Sequence, residues 1–283
     1  MAMAEEQKFI FNAPTVAFIT GASKGIGRAI AVEFSKRFTD KLQLVLTGRC
    51  EKDLKETVSL IQTEPSFSSK KTTFKLVIGN LSDECEFTGL VDDFFNIEDT
   101  SPYQQAILIN NAGSAGDAQY IRDLTSSDAK KVQEYFFLNV SSPLLLASKF
   151  LSVFSKSKLV DQKGIQHFII QISSLAAVMP IPSWSLYCTG KAARDMLHRV
   201  IAAEEPDARV LCYAPGPVDT AMLHHMKDES VAPKAVKIMS DSHKVSVTPQ
   251  KTASVLCDVL NDDKYESGAH IDIFDVIGPP KSD

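Results

Sequence analysis

The run VAFITGASKGIGRAI, from Val16 to Ile30, decides how the rest of this chain is read. The apolar and β-branched residues Val16 to Thr20 pass directly into a turn carrying Gly21, Gly25 and Gly27. Beyond that turn, Ile26, Ala29, Ile30 and Phe34 recur with a helical period from Gly25 to Arg37. A strand apolar on both faces, a glycine turn and an amphipathic helix together open an α/β unit. Missing side chains permit the turn and let backbone N–H groups approach a pyrophosphate, and the helix N-terminus adds its partial positive charge. A glycine turn also joins strand to helix where nothing binds. Here its place after the first strand, ahead of a well-patterned helix, favours a dinucleotide cradle in which Gly21, Ser23, Lys24, Gly25, Ile26 and Gly27 are the candidate contacts.

Six further apolar runs are spaced along the chain, at 42–47, 73–78, 106–111, 167–173, 209–214 and 270–276. Helical patterns separate them at Glu51 to Ile61, at Ala129 to Phe154 with a bend expected at Pro143, and at Pro249 to Leu260. This alternation predicts an α/β fold: a single doubly wound Rossmann-type domain with a seven-stranded parallel sheet flanked by helices. Its expected bounds are 14–276, with an N-terminal extension at 1–13 and a flexible tail at 277–283. Two segments stand outside the pattern, the polar loop 63–71 and the Met-, His- and charge-rich stretch from Thr220 to Val247.

With 283 residues, 44% hydrophobic and 23% charged, the chain can build a sizeable core. A net charge of −5 gives no global attraction to nucleic acid or to an anionic membrane. The apolar runs HFIIQI and SPLLLA are too short to span a bilayer, and the acidic N-terminus does not read as a signal peptide. Five scattered cysteines suit a reducing, cytoplasmic setting better than disulfides or zinc. The expected partners are therefore small molecules, with neither nucleic acid nor membrane among them. His224 and His225 are adjacent, point differently from a helix and make a poor metal pair. Trp184 either walls a pocket or packs, and Cys188 reads as a small filler.

The second strand ends Leu46-Thr47-Gly48-Arg49 without an acid at its tip. NAD sites usually present a carboxylate to the ribose hydroxyls, and NADP sites a cation to the 2′-phosphate, so Arg49 with Lys24 favours NADPH. Plain surface cations, partly neutralised by Glu51, are the alternative. Other residues gather at the carboxyl edge of the sheet, where ligands bind in such folds. Asn110-Asn111 ends the fourth strand, Ser174 the fifth, and Tyr187 and Lys191 lie one turn apart on the helix that follows. A phenol of pKa about 10 is a poor acid–base catalyst near neutrality, and an adjacent ammonium would lower that value. A serine hydroxyl could hydrogen-bond a carbonyl oxygen where negative charge develops.

These motifs, TGASKGIG, NNAG, Asn139 in FLNV, Ser174 in ISS, Tyr187-x-x-x-Lys191 and Ala214-Pro215-Gly216, resemble the short-chain dehydrogenase/reductase family over roughly residues 14–276. The resemblance implies catalysis by Ser174, Tyr187, Lys191 and Asn139, the last holding a water that resupplies the proton. It implies cofactor contacts at Asn80, Leu81, Asn111, Tyr187, Lys191, Gly216, Val218, Thr220 and Met222, and a homodimer formed by the long helices starting near Ala129 and Ser185. Asn80 departs from the aspartate that many relatives carry there. Within the family the chain is similar to members that reduce carbonyls on a pterin C6 side chain, toward dihydro- and tetrahydrobiopterin. SGAHIDIFD matches their last strand, which implies Asp272 as the pterin anchor, with Ser174, Tyr187 and Gly216 also on the substrate and Asp275 as the competing carboxylate. A carboxylate can accept paired hydrogen bonds from a pterin 2-amino group and ring N–H. Reduction of another ketone or quinone, and a cofactor-binding scaffold without chemistry, are the alternatives.

Overall fold

A computed structural model describes residues 8–69, 71–154 and 165–279. Its sheet contains β1 (Thr15–Thr20), β2 (Leu42–Gly48), β3 (Thr72–Ile78), β4 (Gln105–Asn110), β5 (Gln166–Ile172), β6 (Ala208–Ala214) and β7 (Ala269–Asp272). They are ordered β3-β2-β1-β4-β5-β6-β7, and every pairing is parallel. Order reverses between β1 and β4, so the crevice for a ligand opens at the carboxyl ends of those two strands.

Period-two alternation assigns each strand's side chains to two cores. Ala17, Ile19, Ile107 and Ile109 face one side, under α1 (Gly25–Arg37), α2 (Glu51–Gln62) and α9 (Pro249–Asp262). Val16, Phe18, Ala106 and Leu108 face the other, under α3 (Glu84–Phe95), α5 (Ser142–Phe154) and α6 (Ser185–Glu204). Phe18 is fully buried, with ring centroids of Phe94, Phe95, Phe150 and Phe154 all within 6.1 Å.

Several expectations are corrected. The run 270–276 is not one strand: β7 ends at Asp272, and α10 (Ile273–Ile277) follows. Asp272 and Asp275 cause the break, because each carboxylate accepts a backbone N–H at the new helix start, Phe274 N–H at 2.9 Å and Asp272 N–H at 2.9 Å. The helix expected from Ala129 to Phe154 is α4 (Ala129–Phe136) and α5, joined by a π-helical turn over Phe137–Ser141. Pro143 has no N–H for the Asn139 carbonyl, and the chain widens just ahead of it. The continuous helical stretch Ser126–Phe154, 29 residues long and containing an 18-residue window of mean hydropathy 1.4, has the length and apolarity of a membrane span, but Leu146, Phe150 and Phe154 pack into the core.

The stretch from Thr220 forms two helices, α7 (Ala221–Glu229) and α8 (Pro233–Lys244), started by the Thr220 side chain and by Pro233. Helix α3, capped by Asp83, had no counterpart in the sequence reading. Of the N-terminal extension, residues 8–13 belong to the fold: Phe9 is buried, 5.0 Å from Phe168 ring to ring, and Gln105 bonds both backbone groups of Ile10. Residues 1–7 and 280–283 of the expected extension and tail, and Lys70 of the loop 63–71, lie outside the described residues. Phe67 stacks on Phe74 and so anchors that loop.

Phe18→Ala would empty the centre of the aromatic cluster, and a loss of about 3–5 kcal/mol is expected in equilibrium denaturation.

Candidate active site

At the crevice, Gly21 and Gly25 take positive φ values of 66° and 56°, which a side chain would strain. A Cβ at Gly27 would stand 2.4 Å from the Gly21 carbonyl oxygen, so α1 can approach β1 only with glycine there. No side chain caps α1 at Lys24, which leaves its first N–H groups facing the crevice. Arg28 stitches the turn shut by donating to the Ser23 carbonyl from both Nε and Nη2, at 2.9 and 2.5 Å. Asn111 closes the other wall, its Nδ2 donating to the carbonyls of Thr20 and Gly21 at 2.9 and 3.1 Å. This cradle of backbone donors fits a dinucleotide pyrophosphate.

Lys24 is engaged with Asp53 at 2.9 Å, whereas Arg49 is exposed at the end of β2. Asn80 turns its side-chain oxygen onto the N–H and hydroxyl of Ser82, and Leu81 is buried in the core.

A cavity of about 450 Å³ continues from the crevice, bringing Ser174, Tyr187 and Lys191 together with Gly216, Val218, Thr220 and Met222. Asp272 and Asp275 lie on the wall of the same cavity. The helix start at Ile273 places both carboxylates there, an outcome that strict strand alternation excluded. Ser174, two residues beyond β5, accepts the Ala176 N–H at 3.2 Å, and its side chain is near enough to the Tyr187 phenol to favour the ionised form. The Lys191 ammonium lies 5.8 Å from the Tyr187 ring centroid and donates to the carbonyls of Ile172 at 2.8 Å and Ser173 at 3.4 Å.

The electrostatics differ from the expectation that Lys191 lowers the phenol pKa. Burial raises the Tyr187 pKa, outweighing the lowering influence of Ser174. Burial, with Arg194 nearby, also pushes Lys191 down to about 7. The ammonium donates to backbone carbonyls rather than to the phenol, and with its pKa raised above 10 the Tyr187 phenol is protonated at neutral pH.

Asn139 is buried at the π turn, its amide donating to the Tyr135 carbonyl and accepting the Ser114 N–H, both at 3.0 Å. A water on this amide would have to use its second N–H or second lone pair. Gly216, at φ 71°, stands where a Cβ would come within 2.6 Å of Ile273 Cγ2.

Sequence reasoning missed the polar face of α6. Arg194, Asp195 and His198 are buried there, at the i+3, i+4 and i+7 positions from Lys191. Arg194 donates to the carbonyls of Asn110 and Ala112 at 2.8 Å each and so holds the NNAG turn. His198 is held to about 4 by burial and is neutral beside Asn110. Charged residues at helix positions that should be apolar were the available signal.

Of the residues set aside, Trp184 is fully buried and packs, its indole N–H donating to Ser230 at 2.9 Å. Cys188 Sγ accepts the Ile181 N–H, His224 contacts Asp219, and His225 contacts the Gly116 carbonyl.

The short chain dehydrogenase family model matches residues 15–230, which include the glycine turn, Ser174, Tyr187 and Lys191. The chain belongs to the short-chain dehydrogenase family. Members of this family similar to it include the sepiapterin reductase of Bos taurus, 35% identical over 92% of this chain and 95% of that protein. The sepiapterin reductase of Xenopus tropicalis is 36% identical over 91% and 95%. Among solved structures, the KRED1-Pglu enzyme shares the fold at a TM-score of 0.72 and 23% identity, covering 91% of this chain and 100% of that one. The protein is accordingly an oxidoreductase that uses a nicotinamide cofactor.

Lys191 has a folded pKa of about 7 against its ordinary 10.5, so the unfolded chain binds more protons between those values. The cost of burying the charge is full below pH 7 and vanishes above about 10.5. Relative to wild type, Lys191→Met should therefore be most stable below pH 7, the advantage fading as pH rises through that window. Urea midpoints of both proteins at pH 6, 8 and 10 check this.

Proposed function

We propose that this protein reduces side-chain carbonyls of a pterin with NADPH, acting on sepiapterin or 6-pyruvoyl-tetrahydropterin in tetrahydrobiopterin biosynthesis. One observation carries the reading beyond the family: in a chain similar to sepiapterin reductases, the Asp272 carboxylate shares a cavity with the Ser174–Tyr187 pair. One Asp272 oxygen accepts the Phe274 N–H, which orients the carboxylate. That carboxylate would accept the pterin 2-amino group and ring N–H, with the side chain extending toward Ser174 and Tyr187.

When bound, NADPH supplies the hydride. Tyr187 donates its phenolic proton to the carbonyl oxygen, and Ser174 donates a hydrogen bond to that oxygen as charge develops on it. Lys191 holds the nicotinamide ribose. Asn139 shapes the wall at Gly113–Ser114 and, through its remaining amide capacity, holds a water that returns the proton to Tyr187. The glycine turn from Gly21 to Gly27, with Ser23, Lys24 and Ile26, holds the pyrophosphate, and Asn111 braces it. Asn80 and Leu81 border the adenine. Arg49 meets the 2′-phosphate, and Lys24 can join it only by sharing its charge with Asp53. Gly216 leaves room for a flat ring, while Val218, Thr220 and Met222 close over the carboxamide.

Residues 14–276 form the catalytic unit in this proposal, which also places the protein in the cytoplasm. We propose a homodimer through α5 and α6, where Leu144, Leu145, Met196 and Val200 are exposed apolar side chains.

The deciding experiment is NADPH oxidation at saturating cofactor with sepiapterin and, separately, with a simple diketone. Turnover of sepiapterin is expected; an inert sepiapterin beside an active diketone would overturn the pterin reading. Tyr187→Phe should lose roughly 10²–10⁴-fold in kcat while still binding NADPH, as judged by nucleotide fluorescence. Arg49→Ala should raise the KM for NADPH about tenfold and leave that for NADH unchanged, the loss of one charge-assisted contact.

A further inference from the structure

We infer that Asp195 is a positioning residue that ties the catalytic end of the cavity to the strand carrying Asp272, thereby setting the span across which a pterin is held. The inference rests on the pterin reading above.

The Asp195 carboxylate, its side chain 11% exposed, is gripped from both sides. Oδ1 accepts the Ser173 hydroxyl at 2.6 Å, and Oδ2 lies 2.6 Å from His270 Nδ1. Ser173 immediately precedes Ser174, and His270 stands two residues before Asp272 on β7, so both lie on the same face of that strand. The carboxylate thus spans β6, whose Cys212 is in register with Gln171 on β5 and with His270 on β7.

Helix α6 anchors this tie to the reaction centre. Asp195 follows Lys191 by one turn, and both side chains hold Ser173, Lys191 through its carbonyl and Asp195 through its hydroxyl. Ser174, Lys191 and the Asp272 strand are therefore fixed to one another through a single carboxylate. The bond to Asp195 also raises the His270 pKa, consistent with a charge-assisted contact.

Packing does not call for an ion here. Burying a carboxylate on the sheet-facing side of a helix costs free energy that an apolar side chain would not, and such a group is well explained where it fixes geometry. The geometry it fixes is the separation between the oxygen-binding end and the anchoring end of the cavity. A small diketone engages only the first end; a pterin must engage both.

This difference gives the test. Wild type, His270→Leu and His270→Asn would be compared in steady-state NADPH oxidation with sepiapterin and with the simple diketone, thermal unfolding serving as a control for folding. Leucine removes the donor, whereas the asparagine amide places one near the Nδ1 position. His270→Leu should raise the sepiapterin KM about tenfold with kcat/KM for the diketone within about twofold of wild type, and His270→Asn should restore most of the loss. Should the leucine variant not fold, Ser173→Ala breaks the other arm and should raise the sepiapterin KM more than the diketone KM.

An unchanged sepiapterin KM, an equal loss on both substrates or no rescue by asparagine overturns the positioning role alone. A wild type inert toward sepiapterin but active on the diketone overturns the pterin reading, and this inference with it.

Discussion

The Lys191 ammonium, buried beneath the end of β5, donates to the carbonyls of Ile172 and Ser173, and the arrangement of the cavity follows from that contact. A parallel strand that ends at the carboxyl edge leaves carbonyls without ladder partners, and a buried carbonyl needs a donor. Lys191 provides one from a neighbouring helix and in doing so sets the height of α6 against the sheet. Tyr187, one turn earlier on α6, is then opposite Ser174, the residue after the carbonyl that Lys191 holds. The positions of phenol and serine follow from one backbone requirement.

Carrying a lysine into the core has consequences along the helix. Arg194 and His198 share the buried face, and both are pushed toward neutrality by burial, Arg194 to about 10 and His198 to about 4. Arg194 is matched to carbonyls of the β4 end rather than to a carboxylate. The same helix therefore secures the ends of β4 and β5, the strands that flank the crevice on its catalytic side. This buried polar stripe is expensive in isolation and tolerable because nearly every group has a directed partner.

The strands and the first glycine turn were legible in the sequence because burial on both faces writes a near-continuous apolar run, as in residues 16–19 of β1 and 106–109 of β4. The candidate residues Asn111 and Ser174 could be placed at the cavity because they follow strand ends that the same runs locate, and Tyr187 and Lys191 because they lie one turn apart on the next helix. Near Asp272 the reading went wrong. HIDIFDV alternates like a strand, but two aspartates three residues apart can also cap a helix, and local hydrogen bonds decided between those outcomes. The direction of the Tyr187 and Lys191 pKa shifts was not legible either, since desolvation depends on the packed surroundings and spacing reports only proximity. Helix α3 carries a capping aspartate and a buried Phe87, Leu90, Val91 and Phe94 stripe, a pattern present in the sequence that went unread.

The cavity has two kinds of wall. Its floor is built from strand ends and glycine-tight backbone, while much of its roof comes from α7 and α8 and includes Met222, Met226 and Met239. Thioether side chains are unbranched and adjust their rotamers at little cost, so the roof conforms where the floor cannot. Trp184 clamps that roof to the start of α6 through Ser230, which lets it reshape without drifting away from the floor. The protein thus separates tolerance from accuracy: a guest's reacting edge meets a rigid surface, and its outer contour meets a pliable one.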